Sequence, residues 1–238
     1  MASPFVLLHG FTQTGRSWDG VRRDLGDGVL APDLRGHGAA AARRPIDTAH
    51  LVADVLEAAP DRFVLAGYSM GGRLALHVAL AAPERVAALG LVSTTAGLPD
   101  PAERAARRAA DDALAGDVER DGIDAFAERW GALPLWAGQP EAVRAVAHAE
   151  RLRQDPAGLA ASLRGFGTGA MVPVWDRLGE LTMPAVVLAG ARDAKFRAIG
   201  ERLAAALPDG RLVVVDGAGH ALALEAPATV AAALGALA

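Results

Sequence analysis

The sequence predicts an α/β fold in which a mostly parallel β-sheet is flanked by helices and carries a helical insertion between two strands. Short apolar runs alternate with longer stretches of helical periodicity, which is the pattern of a parallel sheet covered by helices. Most of the runs are apolar on both faces, as expected for strands buried on both sides. From about residue 100 to residue 176 the strand pattern disappears and only helical patterns remain.

Six apolar runs predict the strands of this sheet. They cover residues 4–10, 29–34, 62–67, 86–93, 184–190 and 211–217. Helices are predicted where apolar residues recur every three or four positions. The helices that flank the sheet cover residues 47–59, 70–82 and 227–238, and those of the insertion cover residues 101–116, 122–132, 140–154 and 156–167.

The domain organisation follows from where the strand pattern is interrupted. We expect residues 1–99 and 177–238 to form the α/β core and residues 100–176 to form a helical lid over the carboxyl edge of the sheet. Ligands bind at that edge in open α/β sheets. The first residues, "MASPFVLLHG", have no basic region and lead almost directly into a strand, so neither a signal peptide nor a leading hairpin is expected.

The composition limits the kinds of binding partner and the cellular location that we expect for the protein. A net charge of -4 and a pI near 5.9 argue against a nucleic-acid partner. The chain has no cysteine and no paired-histidine pattern, so no disulfide and no metal site is expected. No uncharged apolar run reaches the roughly 18 residues of a membrane span. We therefore expect a soluble, cytoplasmic protein without a membrane partner, and the sequence leaves its oligomeric state open.

The segment "GYSMG", residues 67–71, places Ser69 where a predicted strand turns into a helix. This is the G-x-S-x-G pattern, in which the serine occupies a sharp turn and the two glycines let the backbone pass closely. The following helix directs its positive end at the serine, which favours developing negative charge. Ser69 is therefore the candidate nucleophile or base, and the alternative is a tight turn with a buried hydroxyl.

A reactive serine needs a base and a group that orients the base. His220 lies in a glycine-rich loop after the last predicted strand, and Asp193 follows the strand before it. This matches the chain order serine, acid, histidine. Asp216 lies nearer to His220 in sequence, but it would end a strand rather than stand in a loop, so Asp193 is favoured over Asp216.

The segment "LLHGF" supplies a candidate site for a bound oxygen atom. Gly10 lets the backbone approach closely, so the amide of Phe11 together with that of Met70 could form an oxyanion hole. The alternative is a turn that simply ends the first strand. His9 is expected to hold this loop by hydrogen bonds rather than to titrate in catalysis.

The positions of the arginines bear on the charge of the substrate. Arg73 lies one helical turn beyond Ser69, and further arginines lie on predicted helices of the insertion. Any single one is more often a solvated residue, but a converging set would suit a substrate with several carboxylates, because guanidinium binds that group bidentately. For Trp130 and Trp136, packing is favoured over recognition.

The order Ser69, Asp193, His220, the segment "LLHGF" and the helical insertion together resemble the α/β-hydrolase fold over nearly the whole chain. The segments "GYSMGGR", "RLRQDPAGLAASLRGFGTG" and "ARDAKFRAI" are similar to those of a lyase family of this fold, the 2-succinyl-6-hydroxy-2,4-cyclohexadiene-1-carboxylate synthases of menaquinone biosynthesis. The last two segments are more particular to that family than "GYSMGG", which many hydrolases share.

The resemblance implies elimination of pyruvate from 2-succinyl-5-enolpyruvyl-6-hydroxy-3-cyclohexene-1-carboxylate, with no metal or organic cofactor. It implies a triad of Ser69, Asp193 and His220 that abstracts a ring proton, and an oxyanion hole formed by the amides of Phe11 and Met70. The positions that it implies for the substrate pocket are Tyr68, Arg73, Arg107, Trp130 and Arg151. One departure is Ala223, which stands where relatives often carry a second histidine and makes the pocket wall more apolar.

Two other functions are compatible with these residues. A carboxylesterase or carbon–carbon-bond hydrolase would use Ser69 as a covalent nucleophile. A non-catalytic receptor of the same fold would bind a ligand without turnover, but the complete set of serine, acid and histidine argues against it.

Overall fold

The computed structural model describes residues 3–238, so Met1 and Ala2 of the expected core range 1–99 lie outside the described residues. All six predicted strands form, and they pair in parallel in a single sheet of order β2-β1-β3-β4-β5-β6. The strands are β1 (Phe5–Leu8), β2 (Val29–Leu30), β3 (Phe63–Tyr68), β4 (Val86–Val92), β5 (Ala185–Gly190) and β6 (Gly210–Val215).

Helices cover both faces of this sheet. The α-helices are α1 (Asp19–Leu25), α2 (Thr48–Ala58), α3 (Met70–Ala81), α4 (Pro101–Gly131), α5 (Glu141–Leu152), α6 (Pro156–Phe166), α7 (Ala194–Ala206), α8 (Leu222–Glu225) and α9 (Pro227–Gly235). Helices α2, α3 and α7 pack on one face of the sheet, and α1, α8 and α9 pack on the other. Because the central strands β1, β3 and β5 are buried along their whole length, the core lies on both sides of the sheet, as the sequence predicts.

Several elements differ from the sequence-based expectation. Strand β2 pairs over only two residues, because Pro32 has no N–H to donate and Asp33 instead accepts hydrogen bonds from Gly15 and Ala39. Helices α1 and α7 and the four-residue α8 were not predicted. In α7 the apolar residues Phe196, Ile199 and Leu203 recur at helical spacing, but only Gly200 and Leu203 are buried and charged residues occupy much of the segment.

The chain between β4 and β5 is helical, and no strand lies between them in the described structure. The two helices predicted at 101–116 and 122–132 form one element, α4, with a non-helical kink at Gly122 (φ 78°, ψ 179°) that glycine adopts without a Cβ penalty. Helices α4 and α6 enclose a small apolar cluster of their own around Phe126 and Leu159. We refer to α4, α5 and α6 as the inserted helices.

Hydrogen bonds join the end of α5 and the residues after it to the loops of the core. The buried Thr14 hydroxyl donates to Glu150 Oε2 of α5 at 2.9 Å, and the Gly38 N–H donates to Gln154 Oε1 at 3.3 Å. These bonds tie the end of α5 to the sheet edge. Among the residues that the structure describes, no helix combines the length and the apolar character needed to cross a membrane.

Candidate active site

Ser69 lies on the sharp turn between β3 and α3, with φ 50° and ψ -105°. A non-glycine residue in this region carries backbone strain of about 1–3 kcal/mol, which the surrounding structure must impose. The Ser69 N–H donates to Val92 O at 2.9 Å, and the Thr94 hydroxyl donates to Ser69 O at 2.7 Å. The neighbouring strand end therefore holds the turn, and the Ser69 side chain stays partly exposed.

The glycines of G-x-S-x-G are required by close backbone contacts. A Cβ on Gly67 would lie 2.1 Å from Gly71 O, and a Cβ on Gly71 would lie 2.1 Å from Leu8 O. Both neighbours are backbone atoms that cannot rotate away. The two glycines thus let α3 start directly against β1 and β3, which brings Ser69 to the carboxyl edge of the sheet.

We expect Gly71→Ala to lower the free energy of unfolding by about 3 kcal/mol, because the added methyl group forces backbone to move. The matched control is Gly116→Ala within α4, where a Cβ would meet nothing within 4 Å. That change should raise the free energy of unfolding by about 0.5–1 kcal/mol. Urea unfolding followed by circular dichroism measures both, and a wild-type midpoint for Gly71→Ala would contradict the close contact.

The structure brings Ser69, His220 and Asp193 into a hydrogen-bonded row. His220 Nε2 lies 3.3 Å from Ser69 Oγ, and His220 Nδ1 lies 2.7 Å from Asp193 Oδ2. The second Asp193 oxygen accepts the N–H of Phe196 at 3.2 Å, which fixes the carboxylate at the start of α7. His220 is 2% exposed and Asp193 is 9% exposed, so these two residues are shielded from water while Ser69 is partly exposed.

Asp193 rather than Asp216 is the carboxylate that contacts His220. Asp216 is exposed, just past the end of β6, and it makes no hydrogen bond with His220. With the Asp193 carboxylate at Nδ1, the Nδ1 proton is held there and Nε2 of the neutral ring is free to accept a proton from Ser69 Oγ.

Two backbone N–H groups beside Ser69 have no acceptor in the described part of the chain. They belong to Phe11, after β1, and to Met70, the first residue of α3. Gly10 is needed for this arrangement, since a Cβ there would lie 2.6 Å from Tyr68 Cε1. The N–H of Met70 also lies at the positive end of α3, where negative charge is favoured.

The loop before Phe11 is held by His9, as expected from the sequence. The Leu34 N–H donates to His9 Nε2 at 2.9 Å, and Nδ1 lies 2.8 Å from Gly10 O. Because Nε2 accepts, the ring proton is on Nδ1, which donates to Gly10 O. Burial lowers the pKa of His9 to about 4, so the ring is neutral at pH 7 and acts as a hydrogen-bonding bridge.

A cavity of about 280 Å³ opens above Ser69, between the strand ends and the inserted helices. Five of the expected pocket and oxyanion residues line it together with Ser69 and His220: Phe11, Met70, Arg73, Arg107 and Trp130. Arg107, Trp130 and Phe166 come from the inserted helices, whereas Ser69 and Phe11 follow strands. The inserted helices therefore form the wall of the cavity opposite the sheet edge.

The cavity contains two arginines in different electrostatic states. Arg73 is 7% exposed, and burial followed by the charge of Arg107 lowers its pKa to about 10. It donates to the Thr168 hydroxyl and lies over the Phe166 ring at 5.5 Å. Arg107 Nε is paired with the buried Asp111 at 2.8 Å. At pH 7 Arg73 is thus a charged, largely dehydrated group whose hydrogen-bond partner is a neutral hydroxyl.

The other two expected pocket residues, Tyr68 and Arg151, are buried and do not line this cavity; Arg151 lines a separate cavity with Glu128 and His148. The Tyr68 ring is 2% exposed and lies 5.5 Å from the His220 ring; burial, then the charges of Glu225 and Asp193, raise the pKa of its hydroxyl. Arg151 lies over the Trp136 ring at 5.5 Å, and its Nε has no hydrogen-bond partner among residues 3–238. Burial lowers the pKa of Arg151.

Sequence reasoning assigned no role to several residues of the site. Lys195 and Phe196 line the cavity, and the Phe196 ring packs 4.4 Å from the His220 ring. Thr168 and Asp111 bind the two cavity arginines. The sequence feature that could have pointed to Lys195 is that it is the single lysine of the chain and lies two residues after Asp193. Neither Thr168 nor Asp111 belongs to a local pattern that marks it.

A family model described as the alpha/beta hydrolase family matches residues 5–233. Among curated proteins, one from Bacillus subtilis (strain 168), provisionally named as a 2-succinyl-6-hydroxy-2,4-cyclohexadiene-1-carboxylate synthase, is 39% identical over 93% of this chain and 85% of its own length. A protein of Salmonella paratyphi C (strain RKS4594) with the same synthase name is 32% identical, over 96% of this chain and 91% of its own length.

Among solved structures, MenH from S. aureus superposes with a TM-score of 0.93 at 30% sequence identity, over 99% of this chain and 92% of that chain. The parallel sheet, the covering helices and these matches agree with the fold class that the sequence predicts. The chain belongs to the alpha/beta hydrolase family.

Proposed function

We propose that the protein is a lyase that eliminates pyruvate from 2-succinyl-5-enolpyruvyl-6-hydroxy-3-cyclohexene-1-carboxylate to give 2-succinyl-6-hydroxy-2,4-cyclohexadiene-1-carboxylate in menaquinone biosynthesis. The observation that carries the proposal is that the serine–histidine–aspartate row opens into the same cavity as Arg73, an arginine that is buried without a carboxylate hydrogen-bond partner. The synthase names of the relatives, which match over most of this chain, support the same reaction.

The cations of the cavity favour a substrate with several carboxylates, since Arg73, Arg107 and Lys195 all line it. Burying a guanidinium without a counter-ion is costly, so the free protein carries an unfavourable charge that an anionic ligand would compensate. Arg73 has only the Thr168 hydroxyl as its direct polar partner. The proposed substrate carries carboxylates on its ring, succinyl and enolpyruvyl groups.

In the proposed first step, Ser69 acts as a base. His220 Nε2, 3.3 Å away, takes the hydroxyl proton as Ser69 Oγ takes a proton from a ring carbon of the substrate. Asp193, hydrogen-bonded at 2.7 Å, holds the ring of His220 in the required tautomer and stabilises its charged form. Negative charge passes to a substrate oxygen, to which the free N–H groups of Phe11 and Met70 can donate.

In the second step the carbon–oxygen bond to the enolpyruvyl group breaks as the new ring double bond forms. The leaving group departs as the enolate of pyruvate, and the proton held by His220 balances its charge. In this role the serine adds neither itself nor water to the substrate. We propose residues 1–99 and 177–238 as the catalytic core and residues 100–176 as the lid that supplies arginines and excludes water from the cavity.

The test is to supply the enolpyruvyl substrate to the purified protein and to follow pyruvate with a coupled lactate dehydrogenase assay. We expect release far above the spontaneous rate, together with slow turnover of short acyl esters. If folded protein releases no pyruvate above that rate but turns over acyl esters and accumulates an acyl-serine, Ser69 is a covalent nucleophile and the carboxylesterase or carbon–carbon-bond hydrolase function replaces this one.

A further inference from the structure

The loop that carries His220 is held by a buried carboxylate that the proposed reaction does not use. Glu225 is the last residue of α8, and its side chain is 3% exposed. Its Oε2 accepts the Gly219 N–H at 2.7 Å, and its Oε1 accepts the Ala221 N–H at 3.1 Å. A single carboxylate therefore binds the N–H groups of the residues immediately before and after His220.

This arrangement fixes the direction from which the imidazole approaches Ser69. The ring makes a 3.3 Å contact with Ser69 Oγ, so a small rotation of either neighbouring peptide would take Nε2 out of reach. Hydrogen bonds to a charged acceptor are roughly twice as strong as neutral ones. Two such hydrogen bonds, one on each side of His220, restrain the backbone more than a single bond could.

Arg192 extends the network in two directions. It donates through one terminal nitrogen to Glu225 Oε2 at 3.0 Å and through the other to the carbonyl oxygen of Gly138. Gly138 lies between α4 and α5, and Arg192 directly precedes Asp193. The guanidinium thus joins the His220 loop to the segment that connects two of the inserted helices.

The same connecting segment contacts the cavity and the histidine. The Trp136 ring lies 5.7 Å from the His220 ring, and Trp136 Nε1 donates to Trp130 O at 2.8 Å. Trp130 lines the cavity. A displacement of this wall by substrate would therefore reach His220 through ring packing and through the bonds of Arg192.

We infer that Glu225 is a positioning residue for His220 and that Arg192 couples this position to the inserted helices. The inference rests on the proposed role of His220 as the group that activates Ser69. Glutamate is required at 225 because both of its oxygens accept. In glutamine an amide nitrogen replaces one oxygen, so either the Ala221 bond is lost or the Gly219 and Arg192 bonds are lost together.

The first experiment measures pyruvate release by Glu225→Gln and Arg192→Met. Glu225→Gln should lower kcat about 10- to 100-fold, the cost of a small misplacement of a catalytic group, and leave KM within about twofold. Arg192→Met should also raise KM, because the link to Gly138 is removed. The control is Glu201→Gln, an exposed position of α7, which should match the wild type. Thermal unfolding checks that each variant is folded.

The second experiment separates positioning from a general loss of structure. In a His220→Ala background Glu225→Gln should cause no further loss of kcat, and a further loss as large as in the wild type would overturn the inference. If Glu225→Gln does not fold, Arg192→Met is the deciding variant, and a wild-type KM and labelling rate there would overturn the coupling.

The labelling rate is measured with a fluorophosphonate, which reports on Ser69 without the natural substrate. The Ser69 Oγ–phosphorus bond forms, fluoride leaves and His220 takes the hydroxyl proton. Glu225→Gln should slow labelling about 10-fold or more. If the wild type labels but releases no pyruvate, the proposed reaction fails while labelling still tests the inference. Equal labelling rates for wild type and Glu225→Gln would overturn the inference itself.

Discussion

Replacing Ser69 by alanine should lower kcat for pyruvate release by about 10²- to 10⁴-fold, the range that a positioned acid–base group contributes. The His220–Asp193 bond of 2.7 Å does not involve the serine, so the variant keeps the imidazole in place but lacks the atom that reaches the substrate. Single-turnover assays with the enolpyruvyl substrate measure the effect. Wild-type kcat in folded Ser69→Ala would show that another group takes the ring proton.

A comparison with Ser69→Gly tests whether the turn is strained. Ser69 has φ 50° and ψ -105°, which costs a residue with a Cβ about 1–3 kcal/mol. Glycine does not carry this strain but loses about 0.4–1 kcal/mol through the entropy of the unfolded chain. Both variants should show the same large loss of kcat, and Ser69→Gly should exceed Ser69→Ala in free energy of unfolding by about 1 kcal/mol. Equal urea midpoints would argue against strain at this position.

Replacing Arg73 by methionine should lower kcat/KM by about 10²-fold, because a charged hydrogen bond to a substrate carboxylate is worth about 1.5–3 kcal/mol. The free protein should not be destabilised. Burial already lowers the pKa of Arg73 to about 10, and methionine fills a similar volume without a charge to dehydrate. Loss of substrate binding without loss of stability is the expected signature of a binding arginine.

Two further variants serve as comparisons for Arg73→Met. Arg73→Lys keeps the charge but not the two-pronged geometry, so its kcat/KM should lie between those of the wild type and Arg73→Met. Arg120→Met removes an exposed arginine of α4 that pairs with Asp117 and Asp121, and it should leave kcat/KM unchanged. If Arg73→Met unfolds several kcal/mol more easily and retains wild-type kcat/KM, Arg73 supports the fold and does not bind substrate.

The fold was largely predictable because its signals are local. Apolar runs buried on both faces mark the strands of a parallel sheet, and turns rich in glycine and proline separate them from periodic helices. Helix α7 was missed although Phe196, Ile199 and Leu203 recur at helical spacing, since this stripe is short and only partly buried. The predicted start of a second helical stretch at Gly122 coincides with the non-helical backbone there, whereas the first stretch continues beyond its predicted end at residue 116.

The sequence by itself determined the parallel sheet, the helical insertion and the turn that exposes Ser69, because each depends on periodicity or on glycines at short spacing. The chain order favoured Asp193 over Asp216, and the structure places Asp193 at His220. Only the tertiary structure decided that Arg73 is buried against a neutral hydroxyl and that Glu225 binds both sides of His220. These facts depend on how loops from separate strands and the inserted helices meet at one sheet edge. Burial and the pairing of charges arise there, and no local pattern records them.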